Sequence, residues 1–277
     1  MHNRQSFIEM SARERARVLL DKGTYRELLG PFDKVMSPWL KPQGIVPQAD
    51  DGMVVARGLI DSVPSVVIAI EGAFQGGSMG EVSGAKMATA LDLAADDCEK
   101  NHPVQAILCL ETGGVRLQEA NLGLAAISDI HAAIVRLRRY TPVIGIIAGT
   151  VGCFGGMSIA AGLCSYLIVT KEARLGLNGP QVIEQEAGIA EYDSRNKPFI
   201  WEMTGGAIRA KTGLADALCE DDAPAIRDAV CHFAKQGIPN SLRSERYEEF
   251  LNRVLSFDTN KQADSTQILQ FFGKGEN

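Results

Sequence analysis

VVIAIEGAFQGGSMGEVSGAKM, residues 66–87, joins an apolar run, a glycine-rich loop and a helical pattern. The run Val66–Ile70 is short and rich in β-branched residues, which is typical of a buried strand. The helical pattern begins at about Glu81 and extends to about Lys100. A strand that leads through a glycine loop into a helix is the building unit of parallel α/β sheets. The stretch therefore predicts the first unit of such a sheet.

Two further units of the same kind follow along the chain. The second unit has a strand at Val104–Leu110, the loop ETGG at 111–114 and a helix from about Arg116 to Tyr140. The third unit has a strand at Val143–Ala148, the loop GTVGCFGG at 149–156 and a helix from about Met157 to Leu163. Parallel strands gather such loops at their carboxyl ends, where ligands bind. Glycine lets backbone N–H groups approach a ligand, and a helix N-terminus adds unpaired donors. The three loops together predict a backbone-built anion site, although each glycine alone also suits a tight turn.

The flanking sequence predicts an arm, a hairpin and closing helices. Ser11–Leu20 has a capping-box start at Ser11 and Glu14. Other predicted elements are a hairpin of Met53–Ile60 with Val63–Ile70, strands at Tyr166–Thr170 and Ala173–Leu177, a surface loop at 188–198, and helices at 223–236 and 245–255. We divide the chain into an arm and linker (1–50), a main domain (51–240) and a C-terminal helix with a polar tail (241–277).

Composition narrows the class of protein. The chain has 277 residues, 45% of them hydrophobic, and 28 basic against 34 acidic residues give a net charge of −6. This acidic balance argues against nucleic acid as a partner. The six cysteines form no C-x-x-C pair, so no zinc ribbon and no metal are predicted. The N-terminus has no apolar signal core, so a cytoplasmic location is expected.

Residues 140–170 contain no charged side chain and imitate a membrane span. Pro142 and six glycines interrupt this segment. A buried strand, loop, helix and second strand explain the same composition in a water-soluble fold. No membrane span is predicted.

Residues 76–80 also spell G-x-S-x-G, the pattern of a nucleophile elbow centred on Ser78. A serine nucleophile needs a histidine base supported by an acid. His2 lies in the terminus, His102 precedes a strand at the end opposite the loops, and His131 lies within a helix. His232 has acidic residues nearby in sequence, but nothing links it to the loop. We therefore favour another role for this loop.

Four segments, at 11–28, 74–87, 111–120 and 154–185, resemble the carboxyltransferase domains of acyl-CoA carboxylases. Together they cover most of residues 11–222 in order. The resemblance implies an α/β fold of the crotonase-like (ClpP/crotonase) type. In this fold a spiral of repeated β-β-α units carries an N-terminal helical arm.

Two departures from that family select among its members. The zinc ribbon of the bacterial acetyl-CoA carboxylase β subunit is missing, and the chain is long enough for only one of the two halves fused in propionyl-CoA-type carboxylases. The chain most resembles the β subunit of malonate decarboxylases. This implies an enzyme that, with a γ subunit, decarboxylates a malonyl thioester carried by an acyl carrier protein.

The same resemblance implies the partners and the cofactor. The acyl carrier protein holds the substrate on a phosphoribosyl-dephospho-CoA arm, and an acyl carrier protein transferase is a further subunit. No cofactor is expected to be bound covalently to this chain. Losing CO2 produces an enolate, which backbone N–H donors stabilise. The matching motifs assign this catalytic role to the amides of Gly113, Gly114, Gly155 and Gly156. The resemblance leaves open the alternative that the thioester uses amides of the partner subunit.

Further positions are candidates for binding the substrate. The first loop is expected to form a wall of the acyl and pantetheine channel through Gly76, Gly77, Ser78 and Met79. Arg116 is a candidate for attracting a carboxylate, with a surface or structural ion pair as the alternative. Residues 180–184 match a motif near the family's substrate site, and Gln181 or Glu184 is expected to face that site. Glu111 or Glu119 would serve as proton donor, or as solvated or capping acids without that role.

Three rival functions are also compatible with the sequence. A biotin-dependent carboxyltransferase half would share the fold and the loops but would be sensitive to avidin. A non-catalytic scaffold subunit would tolerate changes at the glycine loops. A serine peptidase of the same spiral fold would require Ser78 to react with a fluorophosphonate probe.

Overall fold

The structure, a computed structural model, describes residues 4–258 and 264–273. Within these residues seven strands form one sheet in the order β1 to β7. The strands are β1 (Arg26–Leu28), β2 (Met53–Ile60), β3 (Val63–Ile70), β4 (Gln105–Cys109), β5 (Val143–Ile147), β6 (Tyr166–Thr170) and β7 (Ala217–Cys219). The pairs β1–β2 and β2–β3 are antiparallel, and β3 to β7 are parallel.

Helices surround this sheet. In the described ranges they are α1 (Ala12–Leu19), α2 (Glu81–Glu99), α3 (Asn121–Leu137), α4 (Gly156–Leu163), α5 (Pro180–Ala187), α6 (Lys197–Thr204), α7 (Gly206–Lys211), α8 (Ala223–Gln236), α9 (Tyr247–Leu255) and α10 (Ser265–Phe272). Short 3-10 turns lie at 31–33, 41–43, 75–77, 117–119 and 243–245.

Both faces of the sheet are buried, which explains the continuous apolar runs in the sequence. Ile68 on β3 lies opposite Leu108 on β4, and both belong to the core beneath α2, α3 and α4. The neighbouring pair Val67 and Ile107 faces the other core, which α1 and α8 cover. The period of two along each strand thus divides the apolar residues between two layers.

Several predicted elements are confirmed. The β2–β3 hairpin turns at 61–62, and the three strand–loop–helix units are present. Residues 140–170 form β5, a loop, α4 and β6. Among the described residues, no helix combines the length and the apolar character that crossing a membrane requires. The capping box of α1 is present, because Ser11 N–H donates to Glu14 at 2.8 Å and Glu14 N–H donates to the Ser11 hydroxyl at 3.4 Å.

Other predicted elements are wrong. Residues 173–177 form no strand and make only isolated bridges, such as Cys153 with Leu175. Helix α3 begins at Asn121 and not near Arg116, because residue Ala120 has φ 48° and ψ −125° and interrupts the helical path. The predicted surface loop at 188–198 ends early, since α6 begins at Lys197. The short elements β1, β7, α5, α6 and α7 were not predicted.

A second set of contacts runs beside the main sheet. Isolated bridges join Met79 to Val115, Thr112 to Cys153 and Cys153 to Leu175. Each bridge connects the segment that follows one strand to the segment that follows the next. Every unit therefore contributes a strand to the sheet, a bridging segment and a helix, as a spiral of β-β-α units requires.

The N-terminal arm is held against the start of α8 by Asp221. This carboxylate is 8% exposed and accepts hydrogen bonds from the Ser6 hydroxyl at 2.6 Å and from the N–H groups of Phe7 and Ile8 at 2.8 and 2.9 Å. Phe7 itself is fully buried in the core under α1. One carboxylate thus satisfies three donors that would otherwise be left without a partner.

Removing this carboxylate should loosen the arm. We expect Asp221→Ala to lower the free energy of unfolding by about 2–3 kcal/mol, because buried N–H donors lose a charged acceptor. Urea denaturation measures the change. The matched control is Asp222→Ala, which removes one exposed contact to Gln5 N–H and should have a much smaller effect. Equal effects of the two substitutions would contradict the anchoring role.

Glu111 joins the ends of β4 and β5. Its carboxylate is 4% exposed and accepts a hydrogen bond from Gly149 N–H at 2.5 Å. Burial raises the pKa of Glu111 above its ordinary value, although Arg15 and the N–H groups of Gly149 and Ala148 act in the opposite direction. The ionised form is therefore costly in the folded chain.

This shift links stability to pH. Since the pKa of Glu111 is higher in the folded than in the unfolded chain, its stabilising contribution is complete below the unfolded-state pKa and is lost as pH rises through the folded-state value. Glu111→Gln keeps an acceptor for Gly149 N–H and removes the titration. We expect the variant to gain stability relative to wild type at about pH 8 and little at about pH 4, by urea denaturation.

Glu14 provides a control in which the change of stability with pH has the opposite sign. Hydrogen bonds from Ser11 lower the pKa of Glu14, so its contribution is present at high pH and lost as pH falls. Glu14→Gln should therefore lose stability at about pH 8. A Glu111→Gln effect that does not change with pH would contradict the proposed cause.

Candidate functional site

Three glycine-containing loops meet at the carboxyl ends of β3, β4 and β5, at residues 71–80, 110–116 and 148–155. Backbone hydrogen bonds join them in series. Gly113 N–H donates to Gly76 carbonyl at 2.9 Å, and Met79 N–H donates to Gly114 carbonyl at 2.8 Å. Phe154 N–H donates in turn to the carbonyl of Thr112 at 3.0 Å. The loops are therefore fixed relative to one another by main-chain atoms.

Glycine is required where the loops touch. Gly77 has φ 67°, and a Cβ atom there would lie 1.9 Å from the carbonyl oxygen of Glu111. Gly114 has φ 105°, and a Cβ atom there would lie 3.3 Å from Gly155 Cα. Both positions combine a left-handed backbone with a close approach to the next loop. These glycines thus allow the loops to pack, whatever ligand the loops bind.

The four amides that were predicted as catalytic donors differ in their contacts. Gly113 N–H donates to Gly76, Gly114 N–H donates to the Thr112 hydroxyl at 3.1 Å, and Gly155 N–H donates to Leu177 carbonyl at 2.7 Å. Gly156 N–H has no acceptor within the described part of the chain. Of the four, it is the amide that is available to a ligand in this structure.

Gly156 is the first residue of α4, and it is half-buried. The preceding residue, Gly155, has φ 60° and ψ −147°, a conformation that is essentially restricted to glycine. A helix N-terminus carries unpaired N–H donors and a partial positive charge of about half an elementary charge. The third loop therefore carries one backbone donor without an acceptor among the described residues, at the positive end of a helix.

Side chains from α3 and α4 hold this end of α4. Gly155 carbonyl accepts from Ser158 N–H at 3.0 Å and from the Ser158 hydroxyl at 2.7 Å. Gly156 carbonyl accepts from His131 Nε2 at 2.8 Å. A Cβ atom on Gly156 would lie 2.8 Å from Ile127 Cγ2. The sequence places His131 within a helix, and no local signal predicts its contact with the N-terminus of α4.

The first loop contributes backbone more than side chains. Met79 is 1% exposed and lies in the core, so its side chain does not line an open channel. Gly76 is exposed, Gly77 is buried and Ser78 is half-buried. Ser78 has φ −68° and ψ 141°, an ordinary extended conformation and not the strained turn of a nucleophile elbow.

The described histidines give Ser78 no base. His131 bonds to Gly156 carbonyl and His232 lies 3.1 Å from Gln236, while no hydrogen bond joins a described histidine to Ser78. His2 lies outside the described residues. The contacts of Ser78 that the structure shows are made by its backbone, which accepts from Arg116 at 3.0 Å.

Arg116 lies inside the chain and not on a ligand surface. It is 1% exposed and forms ion pairs with Asp51 at 2.7 Å and with Glu119 at 2.9 Å. Its guanidinium also donates to the carbonyl of Ser78, so it ties the second loop to the first. In the structure Arg116 thus forms a structural ion pair, which was the alternative to a role in attracting a carboxylate.

The two acids considered as proton donors are also engaged. Burial acts to raise the pKa of Glu119, but hydrogen bonds from Ser37 and Glu81 N–H together with Arg116 leave that pKa lowered. Glu119 is therefore held ionised. The carboxylate of Glu111 is directed to Gly149 N–H. Neither acid contacts Gly156.

A cavity of about 640 Å³ lies between the arm and the starts of the loops. Its walls carry the carboxylates of Glu9, Glu14, Glu71 and Glu111. Arg15 also lines it but donates to the carbonyls of Phe7 and Ile8. Because acidic walls repel anions, this cavity does not suit a carboxylate or a phosphate. The N-terminus of α4 is better suited to a negative charge.

Gln181 is exposed near the start of α5. The segment before α5 contacts the third loop through Leu177, which accepts from Gly155 N–H, and through Gly176, whose N–H donates to Cys153 carbonyl at 3.3 Å. Among the described residues, no three His, Cys, Asp or Glu side chains gather in a group that could hold a metal ion.

Known proteins are similar to this chain in sequence and in fold. The chain matches the model of the carboxyl transferase domain over residues 9–246. It is 41% identical over 236 residues to the malonyl-S-ACP:biotin-protein carboxyltransferase MADC of Malonomonas rubra, with 82% of this chain and 74% of that protein covered.

Solved structures extend the comparison. A chain of the Pseudomonas malonate decarboxylase hetero-tetramer in complex with malonate is 63% identical, with a TM-score of 0.96 and 98% of both chains covered. A chain of transcarboxylase 12S is 29% identical with a TM-score of 0.69, over 80% of this chain and 40% of that one. The expected crotonase-like fold is confirmed, and the chain belongs to the carboxyl transferase domain family.

Proposed function

We propose that this chain is the β subunit of a malonate decarboxylase. With a γ subunit it converts a malonyl thioester on an acyl carrier protein into the acetyl thioester and CO2. The observation that carries the proposal is the 63% identity and the TM-score of 0.96, over 98% of both chains, with a chain of the Pseudomonas malonate decarboxylase.

The N-terminus of α4 suits this reaction. When the bond between the α-carbon and the carboxylate breaks, its electron pair moves into the thioester carbonyl and creates an enolate oxygen. Gly156 N–H donates to that oxygen, and the positive end of α4 adds to the stabilisation. A proton then adds to the α-carbon, which yields the acetyl thioester. Losing one such donor typically lowers kcat by about 10²- to 10³-fold.

The partners follow from the same proposal. The substrate arrives on the phosphoribosyl-dephospho-CoA arm of the carrier protein, which an acyl carrier protein transferase subunit loads. Exposed apolar side chains border the loops and would contact that arm or the γ subunit. They are Leu117, Ile159 and Leu177, which are 80%, 48% and 60% exposed.

Biotin-dependent carboxyl transfer is the second candidate. It is favoured by the 41% identity to a relative whose name describes transfer between malonyl-S-ACP and a biotin protein. That reaction also passes through an enolate at the thioester. Both candidates therefore use the same backbone donor, and they differ in whether CO2 is released or transferred.

One experiment separates the two candidates. The chain is co-purified with its partner subunits and supplied with a malonyl thioester, and acetyl thioester formation is followed with and without excess avidin. Formation that resists avidin supports the decarboxylase. Formation that stops with avidin assigns the chain to the biotin-dependent systems, and no formation in either case would remove the proposed reaction.

The donor at Gly156 is tested by a pair of glycine substitutions in one helix. Gly156→Ala places a methyl group 2.8 Å from Ile127 Cγ2, so either Ile127 or the N-terminus of α4 must shift. We expect kcat for malonyl thioester to fall about 10²-fold in the co-purified enzyme. The matched control is Gly162→Ala, at a position with no atom within 4 Å of the added methyl group, which should leave kcat unchanged. A folded Gly156→Ala enzyme with wild-type kcat would contradict the proposal that the position of this N–H group limits the reaction, since alanine retains the group itself.

A further inference from the structure

Gly156 is clamped on both sides by side chains. Its N–H belongs to the same peptide group as the carbonyl of Gly155, which Ser158 holds through both its N–H and its hydroxyl. The next peptide group carries the carbonyl of Gly156, which His131 holds at 2.8 Å. The rotation of both peptide groups flanking this glycine is therefore restricted.

The clamp at His131 is a tertiary contact. His131 lies on α3, and the two residues are 25 positions apart in the chain. Ile127 precedes His131 by one turn and packs against Gly156, so α3 supports this residue by an apolar contact and a hydrogen bond at once. Because a carbonyl oxygen can only accept, Nε2 of His131 carries the proton in this contact.

We propose that His131 is a positioning residue for the amide donor at Gly156. The inference rests on the proposed function, in which that amide stabilises the enolate. Glycine has the widest backbone freedom of all residues, so an amide at this position is poorly oriented unless its neighbours fix it. An oxyanion donor acts well only when it is preorganised, since reorientation during the reaction costs rate. His131 supplies that preorganisation without touching the substrate.

Three substitutions separate the hydrogen bond from packing. His131→Gln places an amide nitrogen the same number of bonds from Cβ as Nε2, so it can still donate to Gly156 carbonyl. His131→Asn carries the same group one bond closer to the backbone, where it falls short. His131→Leu fills the position with an apolar side chain that has no hydrogen-bond donor.

The enzyme co-purified with its partners is assayed with malonyl thioester. We expect kcat to fall about tenfold in His131→Asn and His131→Leu with KM little changed, and to be largely restored in His131→Gln. Thermal unfolding of each variant shows whether the fold is retained. Equal kcat values in wild type and His131→Leu would overturn the positioning role, and so would equal losses in Asn, Leu and Gln variants.

A second measurement does not depend on turnover. The amide nitrogen of Met157 belongs to the peptide group whose carbonyl accepts from His131, so its chemical shift reports this hydrogen bond. The chain has only 8 methionines, and [15N]methionine labelling therefore gives a simple spectrum, in which Met157→Leu identifies the signal. We expect the signal to move in the Asn and Leu variants and to stay close to wild type in the Gln variant.

The two measurements distinguish a failure of the proposed function from a failure of the proposed role of His131. If the Met157 signal follows this pattern but wild type forms no acetyl thioester, the hydrogen bond exists and the proposed function is wrong. If wild type is active and the signal is the same in all variants, the proposed function survives and the role of His131 is wrong.

Discussion

Backbone hydrogen bonds between consecutive loops are the interaction on which the candidate site depends. Gly113 donates to the first loop, Phe154 donates to the second, and Gly155 donates to the segment that leads to α5. These bonds form only because the parallel strands β3, β4 and β5 end at one edge of the sheet. They also require glycine at Gly77, where a Cβ atom would overlap the main chain of the second loop. The sheet therefore determines the site through main-chain geometry.

Local signals in the sequence were sufficient for much of this architecture. The apolar runs of β3 to β6 and the glycines between strand and helix predicted the three units, and Ser11 with Glu14 predicted the start of α1. Where the signal depended on distant pairing, prediction failed. Residues 173–177 are apolar enough for a strand, but their neighbours offer only isolated bridges. Helix α3 begins late because residues 117–119 form a separate 3-10 turn and Ala120 then leaves the helical conformation.

In the candidate site, too, local features were predicted and features that depend on distant contacts were missed. The motifs located the loops, but the state of each amide depends on partners far away in sequence. Arg116 pairs with Asp51, 65 positions away in the chain. Because of this contact the Arg116 guanidinium stabilises the fold and does not face a ligand. Burial raises the pKa of Asp51 while Arg116 opposes this rise, as is usual for a charge pair taken out of water. The support of Gly156 by His131 is equally non-local, so no pattern in one sequence reveals it.

The proposed donor at Gly156 is a main-chain group, and this has a consequence for how the site can change over generations. No substitution other than proline deletes the N–H of Gly156, since every other residue has that group. Inactivating changes will therefore concentrate at positions that move the backbone, such as the glycines at loop contacts and the α3 residues behind them. The exposed surface around the loops, including Leu117 and Leu177, is free to diverge and adapt to a new carrier or partner while the chemistry is inherited unchanged.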